Sequence, residues 1–201
     1  MFSSMNIQER ISEILAAEAA AILAIRVTPD FERALLALRD CPAKVLTAGM
    51  GKAGHVARKF ASTLCSTGTP ASYIHPGEAA HGDLGLIGPE DCLVAFSTSG
   101  KTREVIEMLE LGRHLGLKTV IGITSHPDSE LRALSDIVLD MGLVEEPCIH
   151  GLTPTSSIVV MLAISDAVAL ALMELKGFSR HDFGLRHHGG YLGKRARLDN
   201  E

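Results

Sequence analysis

Tryptophan is absent from the 201 residues, and phenylalanine and tyrosine together make up only 4%. Flat stacking platforms for bases or sugar rings are therefore scarce, and a carbohydrate bound here would be held by hydrogen bonds. A basic excess is also missing. The formal charge is −5 at neutral pH, which excludes a broad nucleic-acid or anionic-membrane surface and leaves room for a local phosphate pocket. The four cysteines, Cys41, Cys65, Cys92 and Cys148, are widely spaced with no C-x-x-C pair. Neither a zinc ribbon nor a disulfide-dense scaffold is indicated. The first ten residues carry no signal-type apolar stretch. The longest apolar run, residues 158–175, is interrupted by Ser165, Asp166 and Glu174, which a membrane span would tolerate poorly. A cytoplasmic protein with no membrane and no nucleic-acid partner is expected.

What the chain does have is hydrophobic residue, at 46%, enough for a sizeable core. Residues 7–26 mix alanine and leucine with Glu9, Glu13 and Glu18 as an amphipathic helix, and Thr28-Pro29-Asp30 starts a second one reaching about Leu38. Apolar strands are predicted at 44–48, 71–74, 92–96, 119–124 and 137–139, with helices at 55–67, 102–115, 129–133 and 155–176. Strands alternating with helices in this rhythm predict an α/β fold: a single domain with a five-stranded, mostly parallel sheet flanked by helices. Residues 1–40 are expected to be a helical N-terminal segment of that domain, and 41–201 its main body. Residues 75–88 read as a functional loop, 141–154 as a long connection, and 179–201 as a polar helix-turn lying on the surface or on a neighbouring subunit. No internal repeat or low-complexity linker interrupts the chain.

In an open parallel sheet, ligands bind at the carboxyl ends of the strands. Three loops leave strands at that edge: 49–54, 75–83 and 97–102. The third, Ser97-Thr98-Ser99-Gly100-Lys101-Thr102, places four hydroxyls and a glycine at a helix start. Exposed amides and the positive dipole end favour an anion there, so the loop can cradle a phosphate; the plainer alternative is a serine-rich helix cap. Gly49-Met50-Gly51-Lys52-Ala53-Gly54 fits G-x-G-x-x-G, but the acidic residue that would bind a ribose ~20 residues on is missing, because the next strand ends in Ile74-His75-Pro76. Lys52 in that loop can reach a substrate oxygen.

With these motifs quoted, a resemblance appears. The segment 49–55 resembles the first signature of the sugar-isomerase (SIS) domain phosphosugar isomerases. His75-Pro76-Gly77-Glu78-Ala79-Ala80-His81-Gly82-Asp83-Leu84-Gly85 is similar to a signature of D-arabinose 5-phosphate isomerases. Ser97–Gly100 matches the family's phosphate loop, and Leu152-Thr153-Pro154-Thr155-Ser156-Ser157 the entry to its long helix. The likeness runs from about Val45 to Gly193.

The resemblance implies a catalytic set of Lys52, Glu104, Glu146 and His187. Substrate-binding positions implied with it are Gly51, His81, Ser97, Thr98, Ser99 and Thr102. Glu146 is assigned by anchoring on the following Cys148, with Glu145 as the neighbouring alternative. His188 stands where longer members usually carry proline after the histidine. Two glutamates, a histidine and a lysine suffice to move one proton between C1 and C2 and another between their oxygens through an enediolate, so no cofactor and no metal are implied. The implied reaction interconverts D-ribulose 5-phosphate and D-arabinose 5-phosphate, feeding 3-deoxy-D-manno-octulosonate (Kdo) synthesis for lipopolysaccharide or capsule. A homotetramer with shared sites is implied as well, in a short form without the paired regulatory CBS domain of longer relatives. The competing functions are a non-catalytic SIS module sensing a phosphosugar or nucleotide-linked sugar, and an isomerase for another phosphosugar.

Overall fold

Strands β1 (Val45–Gly49), β2 (Ala71–Ile74), β3 (Cys92–Phe96), β4 (Thr119–Thr124) and β5 (Ile137–Asp140) form one five-stranded sheet in the order β2-β1-β3-β4-β5. All four pairings are parallel, so the expected mostly parallel sheet is wholly parallel in the computed structural model, which describes residues 6–197. Residues 1–5 and 198–201, the outer ends of the two expected segments, lie outside the described residues. β1 and β3 are buried along their whole length. That is why they read as continuous apolar runs: a parallel sheet has helices on both faces.

The helices are α1 (Ile7–Leu23), α2 (Pro29–Arg39), α3 (Gly51–Ser66), α4 (Pro76–Ala79), α5 (Arg103–His114), α6 (Glu130–Leu134), α7 (Ser156–Leu175), α8 (Arg180–Arg186) and α9 (Gly190–Arg197). On one face of the sheet, Phe31, Leu38, Phe60 and Leu64 from α2 and α3 meet Val160, Met161, Ile164 and Leu172 of α7 in a single core. Phe60 and Phe96 pack edge to face there with centroids 5.9 Å apart. On the other face, Val105, Met108 and Leu109 of α5 and Leu131 of α6 cover Leu46, Leu93 and Ala95. Burying each such large side chain stabilises the fold by roughly 1.5–3 kcal/mol.

By length and composition α7 could cross a membrane. In the fold it is a core helix against α1, α2 and α3, and its Asp166 is paired with Lys59 of α3. That acidic residue in the apolar run is thus an ion-pair partner on the helix flank.

Local differences from the sequence expectations have physical causes. α3 begins at Gly51 rather than at residue 55. Gly51 adopts φ +55°, a left-handed value that lets the chain turn from strand to helix at once. A Cβ on Gly54 would come within 2.5 Å of the Gly49 carbonyl oxygen, so the glycine spacing lets this turn pack tightly on β1. The functional loop at 75–88 contains α4, started by Pro76 at its first position, and a single 3-10 turn at Asp83–Leu86. The polar tail is two short helices, α8 and α9, packed on each other. A capping box between Ser179 and Asp182 starts α8.

The chain runs from β1 to β2 on one side and returns to β3 on the other side of β1. Between the carboxyl ends of β1 and β3 lies the crevice where such sheets hold ligands. The 49–54 and 97–102 loops open into it.

Candidate active site

β3 delivers Ser97 to the sheet edge, and the loop after it is tied down at several points. The Ser97 hydroxyl bonds that of Thr102 at 2.8 Å and accepts the Gly100 amide at 3.1 Å. Ser99 Oγ accepts the Lys101 amide at 3.2 Å. The Thr98 carbonyl accepts the Ser125 amide at 3.0 Å and the Thr124 hydroxyl at 3.2 Å, and the Gly100 carbonyl accepts the Leu131 amide at 3.0 Å. The loop is therefore clamped to the end of β4. Gly100 has φ +62°, and a Cβ there would lie 2.3 Å from Ser129 Oγ; only glycine fits. Thr102 is the N-cap of α5 yet makes no side-chain cap bond. Its hydroxyl is turned to Ser97 instead, while Ser97 and Ser99 satisfy amides of the loop itself.

Lys52, in the first turn of α3, lines the same cavity of about 310 Å³ as Ser97, Thr98, Ser99 and Thr102. Pro154 and Ile158, at the start of α7, close one side of it. A cation thus faces a hydroxyl-rich turn across a space suited to a small phosphorylated molecule. Gly51 is not among the residues lining the cavity, although its neighbours Met50 and Lys52 are.

Glu104, in the first turn of α5, lines a second cavity of about 310 Å³ together with His81 and Glu107. Thr102 and Glu104 therefore line two different cavities from one helix start. Glu145 faces a third cavity of about 780 Å³ between α1 and the chain after β5.

Glu146 has a firm structural engagement. One carboxylate oxygen accepts the Thr155 and Ser156 amides, each at 2.8 Å. The other accepts the Ser157 amide at 3.2 Å and the Ser157 hydroxyl. An acidic side chain thereby satisfies three amide donors at the start of α7. Burial works to raise the carboxyl pKa, but the bonds from the Ser157 hydroxyl and the three amides outweigh it and hold the group below the usual range.

His187 caps the carboxyl end of α8, its Nδ1 3.0 Å from the Phe183 carbonyl and its ring stacked on Phe183 at 3.9 Å. It lines neither the Lys52 nor the Glu104 cavity. Within one chain, then, Lys52 joins the hydroxyl loop, Glu104 joins His81, and His187 stands apart from both. Among the described residues no cluster of metal-ligating side chains is found.

One residue lining the Lys52 cavity escaped the sequence reading: His126, just past β4. Its only available signal was its place after an apolar strand, at the edge where ligands bind.

Residues 37–171 match the family model described as the SIS domain. The arabinose 5-phosphate isomerase KdsD of Pseudomonas aeruginosa is 43% identical over 93% of this chain and 57% of its own length. The chain thus spans little more than half the length of the curated relatives it matches. A candidate phosphosugar isomerase involved in capsule formation from Bacteroides fragilis superposes with a TM-score of 0.89 at 42% identity, covering 92% of this chain and all (100%) of that one. The E. coli CFT073 protein c3406, in complex with arabinose 5-phosphate, gives 0.86 at 36% identity, with 92% and 100% covered.

Proposed function

The chain belongs to the SIS domain family, and on that premise we propose that it is an aldose–ketose isomerase interconverting D-ribulose 5-phosphate and D-arabinose 5-phosphate. The observation that carries the proposal is the single cavity in which Lys52 faces Ser97, Ser99 and Thr102. Similarity to KdsD and to a protein in complex with arabinose 5-phosphate supports the choice of sugar.

In this mechanism the hydroxyl turn and the amides at the start of α5 hold the phosphate, which fixes the distance to the carbonyl end of a short sugar. A carboxylate takes the proton from C1 of the ketose and returns it at C2. Negative charge develops on the oxygens of the enediolate, and Lys52 stabilises it. A second group moves the hydroxyl proton from O1 to O2, the role given to His187. Of the two glutamates, Glu104 is the better carbon base. Glu146 already accepts the amides of α7 and is held below the usual carboxylate range, which weakens it as a base. Glu146 keeps its place in the set by positioning α7, whose Ile158 walls the cavity. His81 and Glu104 line the second cavity, so in this reading they would meet the sugar where its carbonyl end leaves the Lys52 cavity.

Because His187 stands apart from the cavities of its own chain, it would act from a neighbouring copy in a homotetramer. The exposed stripe Ile7, Ile11 and Leu15 on α1, at 65%, 53% and 61% exposure, supports such an assembly. In the cell the product would feed Kdo synthesis in the cytoplasm. The decisive experiment follows ribulose 5-phosphate by NMR with purified, chelator-treated protein. Appearance of arabinose 5-phosphate is expected; turnover of a different sugar phosphate reassigns the substrate, and no turnover of any points to a phosphosugar sensor.

A further inference from the structure

The chain leaving β4 carries His126 to the rim of the Lys52 cavity, beside the hydroxyl loop. Its Nδ1 lies 3.1 Å from the Thr98 carbonyl oxygen and 3.1 Å from Ser125 Oγ. A carbonyl only accepts, so Nδ1 carries a hydrogen and donates it to Thr98. Arg132 Nε donates to the carbonyl of His126 itself at 2.8 Å, fixing the backbone at that point. Both the ring and its backbone are therefore held. With Nδ1 committed to a residue of the hydroxyl loop, Nε2 is the nitrogen left to meet a ligand.

We infer that His126 is a phosphate-binding residue of this site, gripping a ligand phosphate through Nε2 opposite Lys52. The inference rests on the reading of the 97–102 loop as a phosphate cradle. With Nδ1–H already donated, Nε2 can donate as well only in the doubly protonated ring. Its contact with a phosphate dianion is then charge-assisted, the stronger kind of hydrogen bond. Lys52 and His126 would supply two cations to an anion that the hydroxyls contact without adding charge. The tie to Thr98 also makes the ring part of the loop it serves, so histidine and cradle keep their relative positions.

Two variants separate the ring's two nitrogens. His126→Asn keeps a short amide donor near the Nδ1 position and loses the distal one. His126→Gln keeps a donor near the Nε2 position without the charge. Inorganic phosphate is titrated into the full chain by calorimetry, with refolding and melting checked alongside. H126N is expected to bind phosphate about tenfold or more weakly than wild type, the worth of one charge-assisted bond. H126Q, which restores the donor without the charge, is expected to recover part of that loss. Wild-type affinity in H126N, H126Q binding no better than H126N, or no phosphate binding by wild type would each overturn the inference. Phosphate binding of the expected pattern without ribulose 5-phosphate turnover would sink the isomerase proposal and leave His126 in place.

Discussion

Glu146 and Ser156 meet across the long connection before α7: the carboxylate accepts the serine amide at 2.8 Å, ten residues along the chain. The same oxygen accepts Thr155, so the start of α7 is anchored by a charge rather than by an N-cap side chain, of which Thr155 provides none. Replacing Glu146 by glutamine keeps the shape and removes the charge. A loss of about 1–2 kcal/mol is expected from weakened bonds to the amides, or about 2–8 °C in melting temperature for a chain of this size. The sign with pH follows from the depressed carboxyl pKa. Its contribution is complete above the ordinary glutamate range and is lost as pH falls through the lower folded value. The gap between wild type and E146Q should be widest near pH 7 and narrow as pH falls below the ordinary glutamate range, in melting scans. A gap that widened in acid would refute the assignment.

Lys52→Met removes the cation opposite the hydroxyl loop and leaves the aliphatic stem. Loss of one stabiliser of developing oxygen charge costs roughly 100- to 1000-fold in kcat. Steady-state kinetics should show that loss with the melting temperature unchanged, since Lys52 makes no ion pair with any described residue. A rise in KM alone, with kcat preserved, would reassign Lys52 to simple binding.

Gly100→Ala tests the loop geometry. The φ of +62° and the 2.3 Å approach to Ser129 Oγ, with Ser129 Cβ at 2.5 Å, act together. A cost of about 2–4 kcal/mol is expected from strain and displacement, along with weakened phosphate binding. Denaturant melts read the first and calorimetry the second. Wild-type stability would show that the loop can move away from α6, contrary to the Leu131 amide bond that holds it.

The sheet was legible because apolar runs such as 92–96 and 119–124 are buried on both faces and bounded by turn residues. That residues 97–102 gather hydroxyls at one cavity was legible because they are contiguous in sequence. Residues that meet through tertiary contact were not. Gly51 reads as loop because its helical use depends on a positive φ set by the turn itself. Nothing in the sequence shows that Glu146 accepts the amides of residues 155–157, which arrive from the far end of a connection. A lone histidine such as His126 carries no pattern until the Thr98 carbonyl is placed beside it.

Cys148 should be the fastest-reacting thiol near neutral pH. Its sulfur accepts the amides of Leu152 at 3.2 Å and Thr153 at 3.3 Å. Bonds from the Thr153 amide first, then its hydroxyl and the amides of Leu152 and His150, draw the pKa down to about 6. Cys92, by contrast, is pushed up to about 12, chiefly by burial. In a Cys65→Ser background, which removes the exposed thiol, iodoacetamide labelling of Cys148 should rise with pH around a midpoint near 6. A midpoint in the ordinary thiol range would show that the 148–153 turn does not hold the thiolate.

Assembly and chemistry are linked if His187 serves a neighbouring copy. α1 has no buried residue in the isolated chain, so Ile11 can be changed without opening the core. Its neighbours along the helix, Ile7 and Leu15, are equally bare, and three exposed aliphatic residues at four-residue spacing form one stripe that water covers at a cost. Ile11→Glu places a charge in the middle of that stripe. Sedimentation should show a shift from the wild-type oligomer to smaller species, and isomerase activity should fall in step with it. Mixing I11E with His187→Asn protein would not restore activity, because I11E cannot join the assembly in which its own His187 is needed. Mixing His187→Asn with Lys52→Met should restore part of it, since a mixed oligomer then contains sites with an intact lysine and an intact partner histidine. Failure of that second mixture to recover any activity, with mixed oligomers demonstrated, would confine each site to a single chain.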